Sequence, residues 1–269
     1  LHPYLTFEVV VVSTLGDRDV SHPIAALGER GVFTKALQDT VLEGRADLAV
    51  HSYKDMPTEP ISGLAIAAVP ARGDPREALV AGPLLSLSEF KPGATIGTSS
   101  PRRSAQILRK RHDLRIVPLR GSVGTRVAAQ QRGDVSGTVL ALAGLQRAGL
   151  EEAISAVLEP PDFLPAPAQA ALAVEARADH AAVLELLAPL DDAMTRATTT
   201  AERTYLRDLE GGCSLPAAAL ASVRGGDLTL DTAVYNSDAV VRSHRHGPIS
   251  EAAALGHEAA AETLARGLR

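Results

Sequence analysis

One cysteine occurs in the 269 residues, inside Glu210-Gly211-Gly212-Cys213-Ser214-Leu215-Pro216. With no second thiol it cannot close an intramolecular disulfide, so Cys213 is either a small buried hydrophobe or a chemical group. Two glycines before it and a proline after it describe a loop with the backbone freedom to hold a sulfur at the edge of a cleft. A thiolate presented there is a soft nucleophile able to carry a covalently attached group. The lack of a partner thiol fits a reducing compartment, and a cytoplasmic location is expected.

A second candidate is the stretch Ala46-Asp47-Leu48-Ala49-Val50-His51-Ser52-Tyr53-Lys54-Asp55-Met56-Pro57, where a short apolar strand runs into a polar loop closed by proline. Ser52, Lys54 and Asp55 then stand at a carboxyl-terminal strand end, where α/β proteins commonly place ligand groups, although a Lys-Asp pair in a loop is also compatible with plain solvation.

The third candidate is a change in charge. Residues 97–132 hold nine basic residues, Arg102, Arg103, Arg109, Lys110, Arg111, Arg115, Arg120, Arg126 and Arg132, against one acid, Asp113, in a chain whose formal net charge is −5. Arg109, Lys110 and Arg111 are consecutive and point in different directions, which reads as a solvated helix face. The other arginines sit with glycines and hydroxyls in Gly97-Thr98-Ser99-Ser100-Pro101-Arg102-Arg103 and Leu119-Arg120-Gly121-Ser122-Val123-Gly124-Thr125-Arg126. Ser100 suits an N-cap and Pro101 the first helical position, so backbone N–H groups and the helix dipole favour a carboxylate or phosphate there. Guanidinium forks add bidentate pairing with carboxylates. No aromatic residue lies in this window to stack on bases, so nucleic acid is not the expected partner; a small molecule bearing several carboxylates fits better.

The elements that must carry these groups follow from periodicity. Glu8-Val9-Val10-Val11-Val12 reads as a buried strand and 32–43 as a helix with Val32, Phe33, Leu37 and Leu42 on one face. Residues 63–70 read as a strand, and Arg72-Gly73-Asp74-Pro75-Arg76 breaks the pattern at a hinge. A strand and turn are expected over 135–144 and a return crossing over 163–171. After residue 191 come a helix at 195–209, strands at 216–223, 228–234 and 239–244 with turns at Gly225-Gly226 and Asn236-Ser237, and a last helix at 250–268. No run of about 18 apolar residues is present and no secretory signal is seen, so no membrane partner is expected. The eight histidines are scattered, and His244 and His246 read as surface residues on one strand face, so no metal site is expected.

Glu-Gly-Gly-Cys-x-x-Pro preceded by Ala201-Glu202-Arg203 resembles the cofactor-attachment loop of the porphobilinogen deaminase (hydroxymethylbilane synthase) family. His-Ser-x-Lys-Asp-x-Pro at 51–57, Gly-Thr-Ser-Ser-x-Arg-Arg at 97–103 and the 119–126 loop match in order, so the resemblance spans nearly the whole chain. It implies two α/β lobes like those of periplasmic binding proteins plus a small α+β C-terminal domain: residues 1–71 with 170–190, residues 76–165, and residues 193–269. It further implies a dipyrromethane cofactor held as a thioether on Cys213, with Ser52, Lys54, Thr98, Ser99, Ser100, Arg102, Arg103, Gly121 and Arg126 around it. Asp55 is the implied catalytic carboxylate, and Arg120, Arg126, Arg147, Ser122, Lys35, Arg30 and Gln169 the implied contacts of the substrate, porphobilinogen. Family members are generally monomeric and begin with a further strand, loop and helix, so residues ahead of Leu1 are expected.

The chain departs from the family pattern in four places. Arg30 replaces a lysine and keeps its charge. Ser122 replaces an asparagine and removes an amide. Ala168-Gln169-Ala170-Ala171 stands where relatives have Gly-Gln-Gly-Ala, which matters if either position takes a positive φ. Two alternatives stay open on residues alone: an organic-anion-binding protein of two lobes, and a catalytically impaired paralogue.

Overall fold

The computed structural model describes residues 3–14, 34–209, 215–236 and 239–267, and the chain divides into two compact units. The class is mixed α/β, as expected. The first unit is Leu1–Arg72 with Ala171–Arg196. It holds helix α1 (Lys35–Leu42) and strands β1 (Leu48–Ser52) and β2 (Leu64–Ala68). The second unit is Gly73–Ala170 with Ala197–Arg269. Its first stretch supplies β3 (Glu77–Val80), β4 (Thr95–Gly97), α2 (Pro101–Lys110), β5 (Arg115–Val117), α3 (Val123–Gln131), β6 (Gly137–Ala141), α4 (Leu142–Arg147) and β7 (Ala156–Leu158). The chain then returns to the first unit for β8 (Leu172–Arg177) and α5 (Ala181–Leu187), and α6 (Ala193–Asp208) leads back to the second. Strands β9 (Ala217–Arg224), β10 (Asp227–Tyr235) and β11 (Val240–Pro248) and helix α7 (Ala252–Ala265) complete it.

The sheet of the first unit has the order β1-β8-β2, antiparallel throughout. Strand β1 alternates, with Ala49 and His51 buried and Val50 and Ser52 exposed, as one-sided burial requires of a period of two. Ala68, Val174, Ala176 and Leu187 form its core. Residues 8–12 correct the expectation of a buried strand. They lie outside this sheet, and Val9 and Val11 are 84% and 89% exposed. A β-branched run becomes a strand only where an edge accepts its N–H and C=O groups, and among the described residues none pairs with it. Of the helix expected at 32–43, Lys35–Leu42 is formed, while Val32 and Phe33 lie outside the described residues.

In the second unit the order β5-β4-β6-β3-β7 is mixed: β4 runs parallel to β5 and β6, and β3 is antiparallel to β6 and β7. Strand β3 is buried on both faces, which its Ala-Leu-Val tail suits and its leading glutamate does not. The antiparallel sheet β11-β10-β9 packs its Leu228, Leu230 and Val234 against Tyr205 of α6 and Leu255 and Ala259 of α7. Gly225 and Gly226 join β9 to β10 with φ of 61° and 93°, the doubly left-handed turn that matches strand twist. The other face meets α2. There Tyr235 Oη donates to Gln106 Oε1 at 2.9 Å, and Gln106 Nε2 donates to the Leu164 carbonyl at 3.0 Å. These bonds join residues 73–170 to 197–269 within the second unit. The strand expected within 135–144 is β6, and the stretch ends in the short helix Leu142–Arg147 in place of a simple turn.

Candidate active site

In the first unit, β1 delivers its last residues to a single 3-10 turn, Tyr53–Asp55. Tyr53 N–H donates to the Ala171 carbonyl at 3.1 Å, and buried Met56 N–H donates to the Tyr53 carbonyl at 3.3 Å, fixing the turn on the strand end. Ser52 and Asp55 are exposed and Lys54 is half-buried, so the turn offers a carboxylate, a hydroxyl and an ammonium together. Asp55 makes no hydrogen bond or ion pair among the described residues. His51 points the other way, with Nε2 at 3.2 Å from Glu175 Oε2, while Gln38 Nε2 donates to Glu175 Oε1 at 3.2 Å. Lys35 is exposed on the first turn of α1; Arg30 lies outside the described residues.

In the second unit, parallel strands β4 and β5 end side by side, and the loops after them are joined. Thr98 N–H donates to the Val117 carbonyl at 2.9 Å, Leu119 N–H to Ser99 Oγ at 3.1 Å, and Ser99 Oγ to the Leu119 carbonyl at 3.3 Å. Each loop then opens a helix. Ser100 caps α2, its Oγ accepting from Arg103 N–H, with Pro101 behind it and Ser100 N–H donating to Thr98 Oγ1 at 3.2 Å. Ser122 caps α3, its Oγ accepting from Thr125 N–H at 3.2 Å. The replacement of asparagine is thereby explained, because serine and asparagine are equally good N-caps. Ser122→Ala is expected to lower stability by about 1 kcal/mol and Ser122→Asn to leave it unchanged, read as thermal melting midpoints. Gly121 has φ of 106°, and a Cβ there would stand 2.9 Å from Thr125 Cγ2, so only glycine fits. Its carbonyl accepts from Arg126 Nε at 2.8 Å, and Arg120 is half-buried beside it.

Arg102 and Arg103 turn inward. Both are about one-twentieth exposed, and both bind the fully buried Glu77 at the head of β3. Arg102 Nη2 donates to Glu77 Oε1 at 2.5 Å, Arg103 Nη2 to Oε2 at 2.7 Å, and Arg102 Nη1 to the Leu164 carbonyl at 2.7 Å. Desolvation pulls the Arg102 guanidinium below its ordinary range, with Glu77 opposing it. Glu77 is a residue that motif reading passes over; the signal available was one acid leading a wholly apolar strand. In the cluster expected to be solvated, Arg109 and Lys110 are exposed and Arg111 is partly buried. Lys110 pairs with Asp162 at 2.8 Å, and Arg111 binds Asp113 and the Leu87 and Phe90 carbonyls.

The return crossing confirms the sequence's warning: Ala168 and Ala170 have φ of 58° and 69°. Left-handed backbone costs an alanine about 1–2 kcal/mol per residue. Gln169 between them is fully buried, its Nε2 donating to the Pro75 carbonyl at 2.9 Å, so its amide faces the protein interior. Arg147 Nη2 donates to the Ala170 carbonyl at 2.6 Å. Cys213 lies outside the described residues. Among the described residues no group of three His, Cys, Asp or Glu side chains could hold a metal, and no helix is long and apolar enough to cross a membrane.

The family model "Porphobilinogen deaminase, dipyromethane cofactor binding domain" matches residues 2–185, and "Porphobilinogen deaminase, C-terminal domain" matches residues 196–265. The chain belongs to the porphobilinogen deaminase family. It is 44% identical over 269 residues to the porphobilinogen deaminase of Roseiflexus sp. (strain RS-1), covering 100% of this chain and 89% of that one. To that of Nocardia farcinica (strain IFM 10152) it is 47% identical over 273 residues, covering 97% and 78%. Among solved structures, the ectoine binding protein TeaA aligns over 60% of this chain and 62% of its own at 14% identity and a TM-score of 0.35, too slight a likeness to build on.

Proposed function

We propose that this chain carries its family's activity: a transferase that releases ammonia from porphobilinogen and joins four such units head to tail into hydroxymethylbilane. The observation that carries the reading in detail is the pairing of the 97–100 and 119–122 loops through Ser99 and Leu119, which gathers hydroxyls, a capped helix start and the Arg120 and Arg126 guanidiniums. Behind them two buried guanidiniums share the Glu77 carboxylate. Such a donor set suits a ligand bearing several carboxylates, so the residues present fit a dipyrromethane.

Ser99, Ser100, Thr98, Arg103 and Arg126 would hold that group and Cys213 would carry it covalently, with Arg102 bracing the site from within. When bound, the dipyrromethane supplies the primer to which pyrrole units are added. Arg120 and Arg147 bind substrate carboxylates by charge-assisted hydrogen bonds, repeated for each unit. Asp55 stabilises the positive charge on the pyrrole nitrogen as ammonia leaves and holds the proton that must move, while Ser52 and Lys54 beside it contact the cofactor. In this reading residues 76–165 and 193–269 act as two domains, and the enzyme works as a cytoplasmic monomer.

The test is intact-mass spectrometry of the purified protein. A mass increase equal to a dipyrromethane is expected, absent in Cys213→Ser, together with loss of hydroxymethylbilane formation. An unmodified wild-type mass with turnover would sink the covalent anchor.

A further inference from the structure

Backbone in the left-handed region persists at a non-glycine residue only where its surroundings over-determine it. Around 168–170 the determinants can be named. Ala168 is fully buried, and its N–H has to find an acceptor. It donates to Glu202 Oε2 at 2.6 Å. The other oxygen of the same carboxylate, Oε1, accepts from Ala221 N–H on β9 at 2.7 Å. Glu202 is fully buried on α6, eleven residues ahead of Cys213. One carboxylate thus ties three pieces of the second unit together: the return crossing, the helix that leads toward the cysteine loop, and the C-terminal sheet.

The far end of the crossing is held separately. The Ala170 carbonyl accepts from Arg147 Nη2 at 2.6 Å and from Gly73 N–H at 3.4 Å. Gln169 clasps the Pro75 carbonyl between these two grips. The orientation of the Ala170 carbonyl, and with it the guanidinium of Arg147, depends on how the chain leaves Ala168.

We infer that Glu202 is a positioning residue: its carboxylate holds Ala168 in the left-handed conformation that glycine would adopt unaided, and so sets the Ala170 carbonyl against Arg147. The consequence for substrate rests on the reading of Arg147 as a substrate arginine; the clamp itself does not. Chemically, both N–H donors point at one charged acceptor, and charge-assisted bonds of this kind are stronger than neutral ones. Glutamine keeps the shape but has one carbonyl oxygen, so one of the two N–H groups would face an amide NH₂.

The experiment is a double-mutant cycle of Glu202→Gln and Ala168→Gly in the full chain. Glu202→Gln is expected to lower the melting midpoint by roughly 5 °C, and Ala168→Gly alone to raise it by about 2 °C. In the Glu202→Gln background Ala168→Gly should recover more than it gains in wild type, because glycine takes the left-handed conformation without the clamp. If Glu202→Gln does not fold, recovery of folded protein in the double variant is the same result. Equal increments in the two backgrounds, or a double variant that also fails to fold, overturn the clamp. In parallel, the KM for porphobilinogen should rise in Glu202→Gln with kcat much less affected, and return with Ala168→Gly. Coupled melting with an unmoved KM supports the clamp while removing Arg147 from the substrate contacts.

Discussion

Replacing Glu77 by alanine is expected to cost about 3–5 kcal/mol of stability, because it strands two buried guanidiniums without their shared counter-charge. The carboxylate is fully buried, and Arg102 and Arg103 each retain about one-twentieth of their exposure, so water cannot replace it without rearrangement. For a chain of this length that cost corresponds to a drop in melting midpoint of roughly 10 °C. The measurement is thermal or urea unfolding of Glu77→Ala beside wild type, and an unchanged midpoint would remove the charge cluster from the account. A companion variant separates stability from function. With Glu77→Leu, Arg102→Met and Arg103→Met combined, an apolar replacement of the whole cluster should recover much of the stability, as such replacements do elsewhere. It should still fail to show the dipyrromethane mass increment, since the Arg102 and Arg103 guanidiniums are gone.

Asp55→Ala is expected to behave in the opposite way. The side chain is exposed and makes no bond among the described residues, so folding stability should stay within about 0.5 kcal/mol. The rate of porphobilinogen consumption should fall by about 10²–10⁴, the usual size of a positioned acid, base or charge stabiliser, while substrate binding persists. Single-turnover rates and equilibrium binding on the same preparation check both halves. A loss below about tenfold would move the chemistry to another group.

Much of the local structure could be read from residue order. Ser100 before Pro101 announces the start of α2, and Gly225-Gly226 between alternating runs announces the hairpin, because capping and left-handed turns are decided within a few residues. Two aspects were hidden for one reason: they depend on partners far along the chain. That Arg102 and Arg103 share one buried carboxylate shows only when Glu77, some 25 residues earlier, closes on them. Residues 8–12 have strand composition, but composition does not provide an edge. Glu202 lies between: the Ala-Glu-Arg motif marks it, and only the fold shows that its two acceptors are Ala168 and Ala221 N–H groups. The alanines at 168 and 170 are the case where sequence posed the right question, since the departure from glycine mattered only if φ was positive, and it is.

The order β1-β8-β2 carries a consequence for how the polypeptide is made. Among the described residues neither β1 nor β2 pairs with the other, and both hydrogen-bond to β8, which begins at Leu172. Among the described residues these two strands therefore gain their partner only after the next hundred or so residues have been synthesised. The described strands of residues 77–158 are all made before β8, so the pairing of β1 and β2 with β8 closes around an intervening stretch that already holds every strand of its own sheet.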